Sequence, residues 1–148
     1  DAFGNRLAIA TSKWVLYHLG QQKITRITPE MEAAFQPAPS SVFNMEISKL
    51  KEPASYSSSF EYTILRKDID SNHHVNNLNY ILLARESLPK EVFDLSFSEI
   101  DVMYKKQCLL GDVILCFYQK ISETEYVVTI KSKDLTKLHA IVCFSATS

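Results

Sequence analysis

Apolar and polar positions alternate along several stretches of this chain, and one stretch follows a helical period instead. Phe60, Tyr62 and Ile64 alternate with Glu61 and Thr63, the period of a strand with one buried face. Ile100, Val102 and Tyr104 alternate with Glu99, Asp101 and Lys105, and Tyr126, Val128 and Ile130 repeat the pattern. Val113 to Tyr118 is apolar on both faces, which predicts a central strand. Ala140 to Phe144 reads as a last strand. Between the first and second of these strands, Val75, Leu78, Ile81, Leu82 and Leu88 recur at helical spacing, and Pro89 ends the run. Gly111-Asp112 and Ser122-Glu123 sit where hairpin turns are needed. The order is strand, helix, then four strands. This predicts an α+β domain, a curved antiparallel β-sheet wrapped around one long central helix. One helix cannot cover two faces, so the other face and the sheet edge are expected to meet a partner or a second copy.

The N-terminal third is patterned differently. Asp1 to Asn5 reads as a turn, and Arg6 to Tyr17 as a strand carrying Leu7, Ile9, Trp14 and Val15, with no local hairpin partner. Thr28-Pro29-Glu30 is a helix start: a capping hydroxyl, a proline at the first helical position and acids at the positive dipole end. That helix is expected to end near Phe35, before the breakers Pro37, Pro39 and Ser40-Ser41. Residues 36–58 look like a connector.

Composition and charge narrow the class. With 46% apolar and 22% charged residues the chain is neither disordered nor fibrous, and a net charge of −1 gives no global attraction to nucleic acid. No apolar run approaches the roughly 18 residues of a membrane span. No basic start leads into an apolar core, so no signal peptide is expected. The chain opens on Asp1 rather than Met, as a fragment, a processed product or a trimmed chain would. Cys108, Cys116 and Cys143 are odd in number and form no CxxC pair, so neither a zinc site nor a disulfide framework is expected, and a reducing, cytoplasmic compartment is the simpler reading.

The chemistry concentrates in residues 68–77, Asp-Ile-Asp-Ser-Asn-His-His-Val-Asn-Asn, just before the predicted helix. Free backbone N–H groups and the positive dipole end occur at such a place and can stabilise an oxyanion. His74 can take a proton near neutral pH. The same residue types also serve simply as caps and turn formers. His73 and His74 adjoin Asp70, but adjacent histidines rarely face one ion, and no metal site is expected.

Asp70, Asn72, His74, Val75, Asn76, Asn77 and Tyr80 together resemble the motif of the C-terminal hotdog domain of acyl-carrier-protein thioesterases. Tyr104-Lys105-Lys106-Gln107-Cys108, with Gly111-Asp112-Val113 after it, resembles a second block of that family. Ala10-Thr11-Ser12-Lys13-Trp14-Val15-Leu16 resembles the end of the family's first hotdog domain, and Ile24 to Glu30 the segment after it. The resemblance implies a hotdog fold. It divides the chain into the end of a first hotdog domain at 1–20, an interdomain connector with a short helix at 21–58 and a C-terminal hotdog thioesterase domain at 59–148.

The implied reaction is hydrolysis of fatty acyl thioesters on the carrier's phosphopantetheine arm, in bacterial fatty acid biosynthesis, with no cofactor. Alternatives are an acyl-CoA thioesterase and a non-catalytic acyl-binding hotdog domain. Asp70, Asn72, His74 and Gln107 are the implied catalytic residues; Asn76, Asn77, Tyr80 and Cys108 the implied substrate-binding ones. The acyl tunnel would run between helix and sheet, lined by Leu78, Tyr80, Ile81 and Leu82. Lys49, Lys51, Arg66, Lys67, Lys105 and Lys106 could receive the acidic carrier. A second hotdog domain or a second copy would complete the assembly.

Two positions need comment. Gln107 stands where the resemblance places a glutamate in plant members, and an amide cannot ionise to act as a base. At Cys108 the family has prompted a Cys-His nucleophile reading; burial as a packing residue is the expectation here.

Overall fold

The computed structural model describes residues 5, 7–10, 15–36 and 49–147. The expected turn at 1–4, Arg6, the strand residues 11–14 and the breakers Pro37, Pro39, Ser40 and Ser41 lie outside them. The chain divides into two compact units, residues 1–47 and 48–148.

In the first unit, β1 (Leu16–His18) pairs antiparallel with β2 (Lys23–Thr25). The expectation of a strand over 6–17 without a local partner is corrected. Residues 7–10 form no strand, and Gln22 takes a left-handed φ of 49° that turns the chain back after His18. The helix α1 (Pro29–Phe35) has the expected bounds. The Thr28 hydroxyl accepts from the Met31 N–H, and Pro29 occupies the first position.

The second unit is a five-stranded antiparallel sheet in the order β3-β5-β6-β7-β4. Its strands are β3 (Ser58–Thr63), β4 (Phe97–Tyr104), β5 (Val113–Lys120), β6 (Glu125–Ser132) and β7 (Leu138–Ala146). Between β3 and β4 come α2 (Asn77–Glu86) and a single turn, α3 (Lys90–Phe93), which the periodicity did not predict. The helix α2 lies against β6 and β7. Tyr80, Leu83, Ala84 and Leu88 pack there on Ile114, Cys116, Val128, Ile130, Val142 and Phe144.

The helical stripe differs from the expected one. Leu78 and Leu82 are 58% and 52% exposed, whereas Tyr80 is 3% exposed. Val75 and Leu88 are buried as expected, but within α2 the buried residues are Tyr80, Leu83 and Ala84, about half a turn from Leu78 and Leu82. Tyrosine has a large apolar ring behind one hydroxyl, so Tyr80 belongs on the inner face.

The most buried strands are β6 and β7, not β5: Tyr126 to Ile130 and His139 to Phe144 are buried on both faces. The second face of the sheet is partly covered from within the unit. Leu50 packs beside Val127, Ile141 and Cys143. The Tyr56 ring lies 4.8 Å from that of Phe117, and Lys131 bonds Glu52 at 2.7 Å. Part of this face is therefore covered without the expected partner or second copy. Ser122-Glu123 makes the β5–β6 hairpin, but Gly111-Asp112 makes none, because β4 and β5 are not neighbours. Gly111, at a φ of 85°, turns the loop into β5, and its N–H bonds the Ile64 carbonyl.

Leu83→Ala is expected to destabilise the chain by about 2–5 kcal/mol, and Leu82→Ala by less than about 0.5 kcal/mol. Denaturant unfolding of both variants checks this helix face; comparable losses would overturn it.

Candidate active site

The loop before α2 is a closed unit. Ile69 and Val75 form an antiparallel bridge, and within it the Asp70 N–H donates to the His74 carbonyl at 3.0 Å. The His73 N–H returns to the Asp70 carbonyl, and His73 itself takes a left-handed φ of 64°. The Asp70 Oδ1 accepts from the Asn72 N–H at 2.8 Å, a local turn typical of aspartate. That oxygen also lies 3.8 Å from His74 Nδ1, close enough for charge attraction but not for a direct hydrogen bond. Asp70 and His74 are partly buried, while Ser71, Asn72 and His73 are exposed. Asn76 caps α2, its Oδ1 accepting from the Leu78 N–H at 2.9 Å.

The loop is anchored from below by Asp68, which the sequence reading passed over. Its carboxylate accepts from the Tyr62 hydroxyl at 3.0 Å and the Leu65 N–H at 2.8 Å. Its carbonyl accepts from the Asn76 N–H and the Asn79 side chain. Asp68 is 5% exposed, so these donors replace the water it loses. No local signal marked it, since Asp68 follows the exposed Arg66 and Lys67 in a polar stretch.

A second segment meets the loop from the side. Residues 105–112 leave β4, pair briefly with the start of β7, and cross the end of the sheet. The Val75 N–H donates to the Cys108 carbonyl at 3.0 Å, and the Cys108 N–H to the Tyr80 hydroxyl at 2.8 Å. This bond brings His74 and Gln107, each one residue earlier, to the same end of the domain. Gln107, Asn72, Asn76 and Asn77 are exposed. Among the described residues the Asn72 and Gln107 side chains hold no hydrogen bond and are available to a ligand.

Tyr80 and Cys108, expected at the substrate, are buried and engaged with each other. The expected tunnel lining is also split. Tyr80 and the half-buried Ile81 face the sheet, while Leu78 and Leu82 point outward. Lys49, Lys51, Arg66, Lys67, Lys105 and Lys106 are all exposed.

A family model for the acyl-ACP thioesterase C-terminal domain matches residues 51–143. The chain belongs to that family. Oleoyl-acyl carrier protein thioesterase 2, chloroplastic, of Arabidopsis thaliana is 33% identical over 125 residues, 76% of this chain and 34% of that protein. The corresponding protein of Coriandrum sativum is 30% identical over 117 residues, 71% of this chain and 31% of that protein. The chain thus spans about a third of the length of the curated relatives it matches. Among solved structures, the 12:0-ACP thioesterase from Umbellularia californica superposes with a TM-score of 0.74 at 19% identity, over 88% of this chain and 52% of that one. An acyl-ACP thioesterase from Bacteroides thetaiotaomicron gives 0.69 at 20% identity, over 88% and 53%. The fold of this family member is the expected hotdog. Among its described residues no helix is long and apolar enough to cross a membrane.

The thiols of this family member sit in its core. Burial pushes Cys108 up to about 11, and Cys116 and Cys143 up to about 12. All three are free and buried. Raised folded-state values favour folding only while the unfolded thiols stay protonated. This contribution is full below about pH 8.5, the unfolded range, and declines as the pH rises through it. A thiol reagent at pH 8 is therefore expected to label the native chain only as fast as it opens. Rapid labelling of one thiol per chain would contradict the burial of Cys108.

Proposed function

We propose that the protein hydrolyses the thioester of a fatty acyl chain on an acyl carrier protein, with the reaction at the 70–76 loop and Gln107. The observation that carries the reading is the closed loop at the start of α2, with His74 beside Asp70, in a member of the acyl-ACP thioesterase family. Relatives of this chain are named as acyl carrier protein thioesterases and hydrolases.

In this reading His74 takes a proton from water as the water oxygen attacks the thioester carbonyl carbon. Asn72 and the Asn77 N–H at the start of α2 stabilise the oxyanion. The carbon–sulfur bond then breaks, and the phosphopantetheine sulfur leaves with a proton, releasing free fatty acid. Asp70 holds the loop, with its Oδ1 3.8 Å from His74 Nδ1. The Gln107 amide positions the water, and exposed Asn77 contacts the phosphopantetheine arm. Cys108 acts by packing. No cofactor takes part.

Residues 1–20 are the end of a first hotdog domain, 21–58 a connector and 59–148 the C-terminal domain, so the complete assembly pairs this domain with a second hotdog domain or a second copy. The outer edge of β3 supports such pairing, since among the described residues β3 bonds only β5 in the sheet. Light scattering is expected to show self-association of the 148-residue chain; a soluble monomer at all concentrations would speak against it. A bacterial cytoplasm is the proposed location, supported by three free thiols in a reducing compartment.

His74→Ala and Asn72→Ala are each expected to lower kcat by on the order of a hundredfold or more with little loss of stability. His73→Ala should leave kcat nearly unchanged. Near-normal turnover in either of the first two variants, measured with acyl-carrier substrates, would remove the site assignment. Gln107→Glu should change little at neutral pH, since a new charge beside the thioester is unfavourable to desolvate. A gain of about tenfold, about 1.4 kcal/mol of barrier, would instead make this position a general base.

A further inference from the structure

Two tyrosines cross between α2 and the segment that carries Gln107. Tyr80, in the second turn of α2, reaches toward that segment, and its hydroxyl accepts the Cys108 N–H at 2.8 Å. Tyr104, the last residue of β4, reaches the opposite way, and its hydroxyl donates to the Asn77 carbonyl in the first turn of α2 at 3.0 Å. Their rings meet edge to face, with centroids 5.6 Å apart and planes at 71°. The segment from 104 to 108 is thus pinned to α2 at both ends, and Gln107 lies just inside one pin. The Val75 N–H closes the triangle on the Cys108 carbonyl.

We infer that Tyr80 and Tyr104 are positioning residues for the reaction: their crossed hydroxyls set where Gln107 stands relative to His74, with Cys108 as the point they hold. The inference rests on the thioesterase reading above and goes beyond it, since neither tyrosine touches the reacting atoms. It accounts for a hydroxyl on the inner face of α2, where phenylalanine would fill the same space. It also gives Cys108 a task that needs a small, buried residue rather than a thiolate. A displacement of about 1 Å at a reacting group can lower a rate by up to about a hundredfold, so a clamp of this kind acts on kcat.

The test uses Tyr80→Phe and Tyr104→Phe in the full chain, alone and combined with Gln107→Ala. Each phenylalanine keeps the ring and removes one hydroxyl. Tyr80→Phe is expected to lower kcat on the order of tenfold with KM nearly unchanged. On the Gln107→Ala background its effect should largely vanish, because the group it positions is gone. Equal losses on both backgrounds would overturn the inference, since a purely structural tyrosine adds its effect regardless of Gln107. Should Tyr80→Phe fail to fold, Tyr104→Phe, whose hydroxyl lies at the more exposed end, carries the same cycle. A second readout is independent of turnover. In either variant the backbone amide resonances of His74, Val75, Gln107 and Cys108 are expected to shift together; unmoved Gln107 and His74 amides would overturn the clamp. A wild-type chain that hydrolyses no acyl-carrier thioester would defeat the thioesterase reading alone, and the amide shifts would still decide whether the tyrosines hold the two segments together.

Discussion

The hydrogen bond from the Val75 N–H to the Cys108 carbonyl joins two segments that belong to no common strand pair. Both residues are buried, so each backbone group must find a partner inside the protein. An unpaired buried N–H or C=O costs about 1–3 kcal/mol, which leaves little freedom in how loop 70–74 approaches residues 105–109. The remaining contacts at this end follow from that constraint. The Cys108 N–H takes the Tyr80 hydroxyl, the Asn76 N–H takes the Asp68 carbonyl, and the Leu109 N–H takes the Asp112 carboxylate. The side chains of Asn72 and Gln107 are left exposed.

This division of labour explains how a rigid site can be built from loop residues. Backbone groups and buried side chains bear the structure, and exposed side chains are released for chemistry. Asp68 illustrates the first role: its side chain holds β3 and its carbonyl holds the start of α2. Asp70 bridges both roles, bonding the Asn72 N–H while standing 3.8 Å from His74. The two acids differ by two positions in sequence, yet one is buried in the frame and the other faces the loop.

Most of the sheet was legible because period-2 alternation and turn residues act locally. The start of α1 followed from Thr28 and Pro29, and the hairpin at Ser122-Glu123 from its position between two β patterns. What escaped depended on distant partners. The buried stripe of α2 depends on which face meets β6 and β7, which periodicity alone does not decide. Gly111-Asp112 looked like a hairpin because sequence neighbours β4 and β5 were taken as spatial neighbours, whereas β7 and β6 lie between them. In the candidate site, His74, Asp70, Asn72 and Gln107 stand out by residue type and by the family motif. Tyr80 and Tyr104 lay in the quoted motifs, but their crossed hydroxyl bonds, and those of Asp68, were not legible, because they reach residues 6, 11, 27 and 28 positions away.

Water attack assisted from the loop, with Cys108 held in the core, separates this account from a nucleophilic cysteine. The most direct test follows the intact protein by rapid-quench mass spectrometry while it turns over an acyl-carrier thioester. The account predicts that free fatty acid forms at the catalytic rate and that no acyl adduct accumulates on Cys108. An acyl group mapped to Cys108, or an active-looking fold that releases no fatty acid at all, would contradict it.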